Sequence, residues 1–517
     1  MRPYIIAHDT GTGGNKAVLT DLRGRIIHSV YRPYRLHYPR HGWVEQDPDV
    51  LWHAVASTTR LLIEQKGIDP VDILGVGISA QMFNLLPVDE RVRPLMPMIS
   101  WLDLRTVAQA DRVMAAEDGR LASRLFEYTG NIPTAKDIIP KILWLKEERP
   151  AVWEQTRWLL DCKEYIVHRL TGKIVTDWHG ASVFFLFDPE RRTWSERACR
   201  ALGIPRDRLP PAHRCTDTVG EVSEEAAVVT GLQPGTPVVA CAGDVAVAQS
   251  GSGSNAHGKA HLCVGTATWL GVSSNRFVND PAKPFWGLSH IDPDKWIIAG
   301  EMETGGGALM WFRDAFCQAE AEKAAVQGIS TYQLLSRMAM ETRPGADGLL
   351  FAPWLSGERA PILDHYARGA FVGLSLGHTK AHLARAVMEG VAFHLRWICE
   401  ALEQLGLIIG TINAIGGGCT SPVWTQIIGD VLGRDLRISS HPQEAGAIGA
   451  ALTVAVGMGV YPGLEATDEL VEFGHTVEPQ TAHSARYDAL YSEYRALYEA
   501  LAPVMRRMHT IPREGLT

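Results

Sequence analysis

Short apolar runs separated by amphipathic stretches dominate this chain. Seven of them read as buried strands: Tyr4–Ala7, Ala17–Thr20, Ile73–Ile78, Val238–Ala242, His261–Val264, Trp296–Ala299 and Thr411–Ile415. Helical patterns lie between many of them, which predicts an α/β fold. The clearest helix covers 381–405. There Leu383, Val387, Val391, Leu395, Ile398, Leu402 and Leu405 recur every three or four residues and form one stripe. A second is expected from Pro422 to Leu432, with Ser421 as its cap and Pro422 in its first turn.

Two segments are apolar enough to raise the question of a membrane. Residues 405–429 carry no formal charge, but Asn413, Gly416-Gly417-Gly418 and Pro422 interrupt them. Residues 445–460 are rich in Ala and Gly and shorter than the roughly 18 residues a span needs. Both read as buried elements of an α/β core. Met1-Arg2-Pro3-Tyr4 runs straight into a strand pattern, with no apolar signal core expected.

At 517 residues the chain exceeds one hydrophobic core, so two domains are expected. The Gly/Ser-rich run Ser250–Gly258 is the natural junction, giving domains 1–252 and 253–517. An internal echo agrees. Tyr4–Lys16 passes from a strand into Gly11-Thr12-Gly13-Gly14, and Lys259–Leu270 does so through Gly265-Thr266-Ala267-Thr268. A net charge of -8 argues against nucleic acid as a partner. The eight cysteines form no CxxC and no Cys/His cluster. That gives no support to a zinc site and suits reduced thiols in the cytoplasm.

Four places carry candidate chemistry. At the first, Asp9 closes a strand before Gly11, Thr12 and Gly13, whose amides can face phosphate oxygens. Asp9 is the candidate Mg²⁺ ligand, through water, and Thr12 and Lys16 are within reach of phosphate. At the second, Asp244 follows an apolar strand and Gly243. It has the chemistry of the base that takes a proton from an attacking hydroxyl. At the third, Gly416-Gly417-Gly418 ends a strand before a capped helix, more glycine than a tight turn needs, and suits an adenosine. The fourth is Gln81-Met82-Phe83-Asn84 with Trp101, Asp103 and Arg105, polar groups and rings suited to a sugar. Arg313, Asp314, Glu358, Arg359 and the His37–His41 region are expected mostly at the surface.

The order of these pieces resembles the FGGY family of carbohydrate kinases over nearly the whole chain, to about residue 460. The resemblance rests on Asp9 through Thr12, Gly243-Asp244, Gly265-Thr266, Gly357-Glu358-Arg359-Ala360-Pro361 and Gly416–Gly418. It is closest to the xylulose kinase branch. It implies two actin-like, RNase H-like domains around a central cleft, with ATP on the C-terminal side and the sugar on the N-terminal side. By residue it implies Asp9 at the metal and Asp244 as catalytic base. Gly11 to Gly13, Gly265 and Thr266 fall on phosphates, and Gly417 and Gly418 on adenosine. The implied partners are ATP/ADP, Mg²⁺ and a sugar or polyol, with a homodimer left open. A pentulose leads, and a tetritol, another polyol or a different ketose follows. An actin- or chaperone-like ATPase without acceptor is the rival class. Three departures fall near the sugar site. Phe83-Asn84 replaces a usual His-Gly, Thr176–Ser182 lacks a usual Ser and second Asp, and Val245 follows the base where Asn or Gln is common. Phe83 cannot hydrogen-bond a hydroxyl, so D-xylulose is expected to be a poor acceptor.

Overall fold

The apolar runs pair into two mixed sheets in the computed structural model, which describes residues 3–509 and 511. The first holds β1 (Tyr4–Thr10), β2 (Gly14–Asp21), β3 (Ile26–Pro33), β4 (Ile73–Ala80), β5 (Thr218–Glu221) and β6 (Pro237–Val239). Their order is β3-β2-β1-β4-β6-β5. The second holds β7 (Ala260–Val264), β8 (Thr268–Ser274), β9 (Trp286–Ser289), β10 (Trp296–Met302), β11 (Ile412–Ile415), β12 (Leu436–Ser439) and β13 (Phe473–Val477). Their order is β9-β10-β8-β7-β11-β12-β13.

Strand directions repeat between the sheets. β3, β2 and β1 form an antiparallel meander, as do β10, β8 and β7. Two parallel strands follow, β4 and β6 in one sheet and β11 and β12 in the other. An antiparallel edge strand closes each, β5 or β13. The turn echo between Tyr4–Lys16 and Lys259–Leu270 is thus one corner of a repeated unit, and β9 is an added edge.

Six helices matter for the site: α1 (Trp178–Val183), α2 (Asp244–Gly251), α3 (Gly306–Phe316), α4 (Lys380–Glu403), α5 (Pro422–Leu432) and α6 (Ala445–Gly457). The stripe expected over 381–405 is the buried face of α4, with Val387, Val391, Leu395, Ile398 and Leu402 in the core of the second sheet. Ser421 caps α5 as expected, its hydroxyl accepting the Trp424 amide at 3.2 Å.

Helices α2 and α6 cross with their backbones touching. A Cβ on Gly251 would lie 1.8 Å from the Ala445 carbonyl oxygen, and one on Gly449 would lie 1.9 Å from that of Val247. No side chain fits there, so both positions require glycine. Helix α6 leaves the second sheet yet packs on the first, where Val454 fills the space left by Gly75 and Gly77 of β4. The Ala/Gly-rich stretch 445–460 is this buried crossing, and among the described residues no helix is long and apolar enough to cross a membrane.

One expectation changes. The strand expected over Val238–Ala242 stops at Val239, because Cys241 takes a left-handed φ of 57° and turns the chain toward α2. Ser250–Gly258, the expected junction, ends α2 and runs buried to Asn255 before His257 emerges, with Asn255 bonded to Asp468 at 2.6 Å and Ser254 bonded to the Ala260 carbonyl. Met1 and Arg2 lie outside the described residues.

Candidate active site

The strands deliver their C-terminal ends to one cleft, where ligands of open α/β sheets collect. β1 ends at the turn Gly11–Gly13. Behind it, Tyr34 donates its hydroxyl to the Gly11 carbonyl, Gln46 its amide to that of Thr12 at 3.0 Å, and Tyr31 its hydroxyl to that of Gly13 at 3.2 Å. With the carbonyls held from behind, the amides of Thr12 and Gly13 have no protein acceptor among the described residues. β7 ends at Gly265–Ala267 in the same way. There the Gly306 and Gly307 amides, at the start of α3, hold the Gly265 and Thr266 carbonyls at 2.8 and 2.9 Å. Both turns therefore leave backbone N–H groups without a protein acceptor among the described residues, an arrangement that can cradle phosphate. The run Gly305-Gly306-Gly307, which no sequence motif above includes, makes the second turn possible. A Cβ on Gly306 would sit 2.3 Å from the Gly265 oxygen.

Asp9 and Asp244 face this cleft, each half-buried. Burial raises the Asp9 carboxyl above its ordinary range, against the opposing charge of Lys16. Asp244 is pushed up to about 7, by burial first and by the charge of Asp9 second. Gly446 of α6 lets the Asp9 carboxylate approach, for its Cβ would lie 2.8 Å from Oδ2. Two desolvated carboxylates that repel each other suit a shared cation. Among the described residues no three His, Cys, Asp or Glu side chains form a metal cluster. A Mg²⁺ here would therefore rely on water and nucleotide oxygens for most of its shell, as Mg²⁺ does. If Asp244 is the base, acceptor kcat/KM should rise with pH through about 7 and level off above it, since only the ionised carboxylate takes a proton. A profile flat from pH 5.5 to 8.5 would remove Asp244 from that role.

The third glycine site divides by residue. Gly416 has φ 93°, and its Cβ would meet the Val264 oxygen at 2.6 Å. A Cβ on Gly418 would meet Val264 Cγ1 at 2.3 Å. Those two glycines are needed for packing against β7. Gly417 is exposed, and the nearest atom to its Cβ is Gln443 Nε2 at 3.8 Å. Only Gly417 leaves open space toward a ligand.

On the side expected to take the sugar, the candidate residues are also engaged with protein neighbours. Asn84 is a brace. Its amide nitrogen donates to Asp161 Oδ1 at 2.7 Å and to the Gln81 and Met82 carbonyls, while its oxygen accepts the Trp101 amide. Asp103 is buried and held by Arg105 and the Val44 amide. Gln81 donates to Gln46 Oε1 at 2.6 Å. The Trp101 indole N–H donates to Thr12 Oγ1 at 2.8 Å, tying the segment after β4 to the turn after β1. Met82 abuts Gly243, whose Cβ would lie 2.3 Å from its sulfur. Phe83 is buried among Phe185, Trp286 and Arg359, with a left-handed φ of 62°. Its ring packs against aromatic neighbours in the core, so the case against D-xylulose loses its premise. The Lys16 ammonium, expected on phosphate, is bound to the Gln443 carbonyl at 2.6 Å and lies 3.4 Å from Glu444, tying the N-terminal region to the C-terminal one.

Glu358 and Arg359 are buried, not at the surface. Arg359 donates to Asp137 at 3.0 Å and Thr134 at 2.8 Å, and its Nε lies 3.5 Å from Glu301. Lys136 is bonded to Glu303 and lies over the Trp101 ring. Burial pushes Glu301 up to about 8, with Glu303 and Asp244 adding to the effect. No local pattern announces this cluster, because its partners stand up to 222 positions apart. Arg313 and Asp314 do pair at the surface.

Comparison with known proteins supplies the family. The N-terminal domain model of the FGGY family of carbohydrate kinases matches residues 4–251, and the C-terminal domain model matches 260–458. The chain is 30% identical over 518 residues to a xylulose kinase of Lactococcus lactis, covering 99% of this chain and 100% of the relative. It is 29% identical over 489 residues to a gluconokinase of Bacillus subtilis, covering 94% of each. Among solved structures, a ligand-bound xylulose kinase from Lactobacillus acidophilus superposes with TM-score 0.88 at 26% identity, covering 98% of this chain and 99% of that one. A gluconate kinase from the same species gives 0.87 at 26%, with the same coverage. Xylulose kinases and gluconokinases thus stand equally near, which leaves the acceptor to be argued from the cleft. With both domain models matched, and with neighbours that are actin-like two-domain kinases, the chain belongs to the FGGY family of carbohydrate kinases, phosphotransferases that use ATP.

Proposed function

We propose that this kinase transfers the γ-phosphoryl group of ATP to a hydroxyl of an uncharged ketose or polyol, with a pentulose as the leading acceptor. The carrying observation is that the buried cations on the acceptor side are already engaged. Lys136 is paired with Glu303, Arg359 with Asp137, Arg105 with Asp103, and Lys163 with Asp177. The Lys141 ammonium donates to the Phe83 and Lys136 carbonyls. An aldonate carboxylate entering there would have to compete with Glu303, Asp137, Asp103 and Asp177 for these cations, and a buried charge left unpaired is costly. A neutral polyol meets no such penalty.

In this reading the acceptor hydroxyl lies against Asp244, whose carboxylate takes its proton as the phosphoryl group moves. The amides of Thr12 and Gly13 and of Thr266 and Ala267 hold the phosphates. The open face at Gly417 receives adenosine. Asp9 would hold Mg²⁺ through water, and the ion would neutralise phosphate charge. The eight unpaired cysteines and the need for ATP support a cytoplasmic setting.

A direct test compares kcat/KM for D-xylulose, other pentuloses, tetritols, glycerol and D-gluconate. A neutral acceptor should exceed gluconate by at least about ten-fold, the range for leaving a polar group unpaired. Gluconate as best acceptor would overturn the reading of the charge cluster.

A further inference from the structure

We propose that His179 is a positioning residue that couples the seating of edge strand β9 to the placement of Asp244. It lies in the stretch Thr176–Ser182, which departs from the family pattern. The inference rests on the kinase reading of the cleft.

The outer edge of β9 belongs to the C-terminal half, and N-terminal side chains take up its backbone groups. Asn131 donates to the Gly287 carbonyl at 2.9 Å and accepts the Gly287 amide at 3.0 Å. Ser182 accepts the Ser289 amide at 3.1 Å. His179 Nδ1 donates to the Ser289 carbonyl at 2.6 Å. Gly287 and Ser289 alternate along the strand, so these bonds satisfy successive outward-facing groups of one edge.

His179 alone among the three continues toward the reacting carboxylate. It is fully buried. With Nδ1 carrying the proton, Nε2 faces the Met82 sulfur at 3.2 Å. The Met82 sulfur and the ring's Cδ2 both crowd Gly243, at 2.3 and 3.3 Å from its Cβ position. Gly243 is the residue before Asp244 and stands at the N-cap of α2. A chain of contacts therefore runs from Ser289 through His179 and Met82 to the turn that aims Asp244. When β9 is seated the ring is fixed. When β9 lifts, the ring loses its anchor and Met82 its backstop. Asp244 is then held in line only with the two halves together, which limits transfer of phosphate to water.

The test uses the full-length kinase with ATP, Mg²⁺ and the best acceptor from the panel above. It measures ADP release with and without acceptor. His179→Ala should lower acceptor-stimulated kcat at least ten-fold, leave the ATP KM within about three-fold, and lower the stimulated-to-unstimulated ratio at least ten-fold. His179→Asn, whose side-chain amide can replace Nδ1–H toward Ser289, should recover melting temperature but only part of the ratio. His179→Phe fills the space beside Met82 without the bond, and serves if the alanine variant does not fold. A ratio within two-fold of wild type in the folded variants overturns the coupling role. Absence of any acceptor-stimulated release in the wild-type enzyme would instead overturn the kinase reading, so the two failures are distinct.

Discussion

Asp244→Asn is expected to lower turnover by roughly 10²–10⁴ while keeping ATP affinity within a few-fold, the range for losing a general base. The substitution is nearly isosteric. The asparagine oxygen can still accept the Val245 amide, which Asp244 Oδ1 does at 2.9 Å. What disappears is the proton acceptor. The fold should not suffer, because burial and the charge of Asp9 both oppose ionisation of Asp244. Removing that charge relieves a repulsion, so the melting temperature at pH 8 should match or exceed wild type. Steady-state kinetics and a thermal scan check both. Near-normal turnover would remove Asp244 from the mechanism.

Gly417→Val and Gly418→Val should fail in different ways although they are adjacent. At 417 the Cβ enters open space, with nothing nearer than Gln443 Nε2 at 3.8 Å. That variant should fold normally, raise the ATP KM roughly ten-fold or more, about 1.4 kcal/mol of lost binding, and leave the acceptor KM unchanged. At 418 the Cβ would collide with Val264 at 2.3 Å. Overpacking of this kind costs about 1–3 kcal/mol, so that variant should lose melting temperature first. An unchanged ATP KM in folded Gly417→Val would assign the loop to turn geometry alone.

These contrasts mark what sequence carries and what it does not. Seven of the thirteen described strands in the two sheets, and the glycine turns, were legible because they follow from local backbone chemistry. An apolar run must pair, and Gly11, Gly265 and Gly416 each sit where a strand ends in a turn. The repeated turn pointed to a repeated unit, and the sheets bear that out. Side-chain roles on the acceptor side were not legible. An amide such as that of Asn84 serves a sugar or a neighbouring carboxylate equally well, and only the position of Asp161 decides. The Lys136–Glu303 and Asp137–Arg359 pairs join residues 167 and 222 positions apart, so no window of sequence contains them. Gly305–Gly307 was legible in principle, as a second triple glycine after a strand, and its significance depended on the turn it supports. Cys241 shows the opposite limit, for nothing in its residue type announces a left-handed backbone that ends β6 early.

The central claim is that this cleft delivers phosphate to a hydroxyl and not to water. Incubating the enzyme with ATP and Mg²⁺ across the ketose and polyol panel, and measuring phosphorylated product beside ADP by mass spectrometry, tests it most directly. The account predicts one molecule of sugar or polyol phosphate for each ADP with at least one neutral acceptor, and little ADP without it. ADP formed at the same rate with every acceptor and with none, accompanied only by inorganic phosphate, would contradict it.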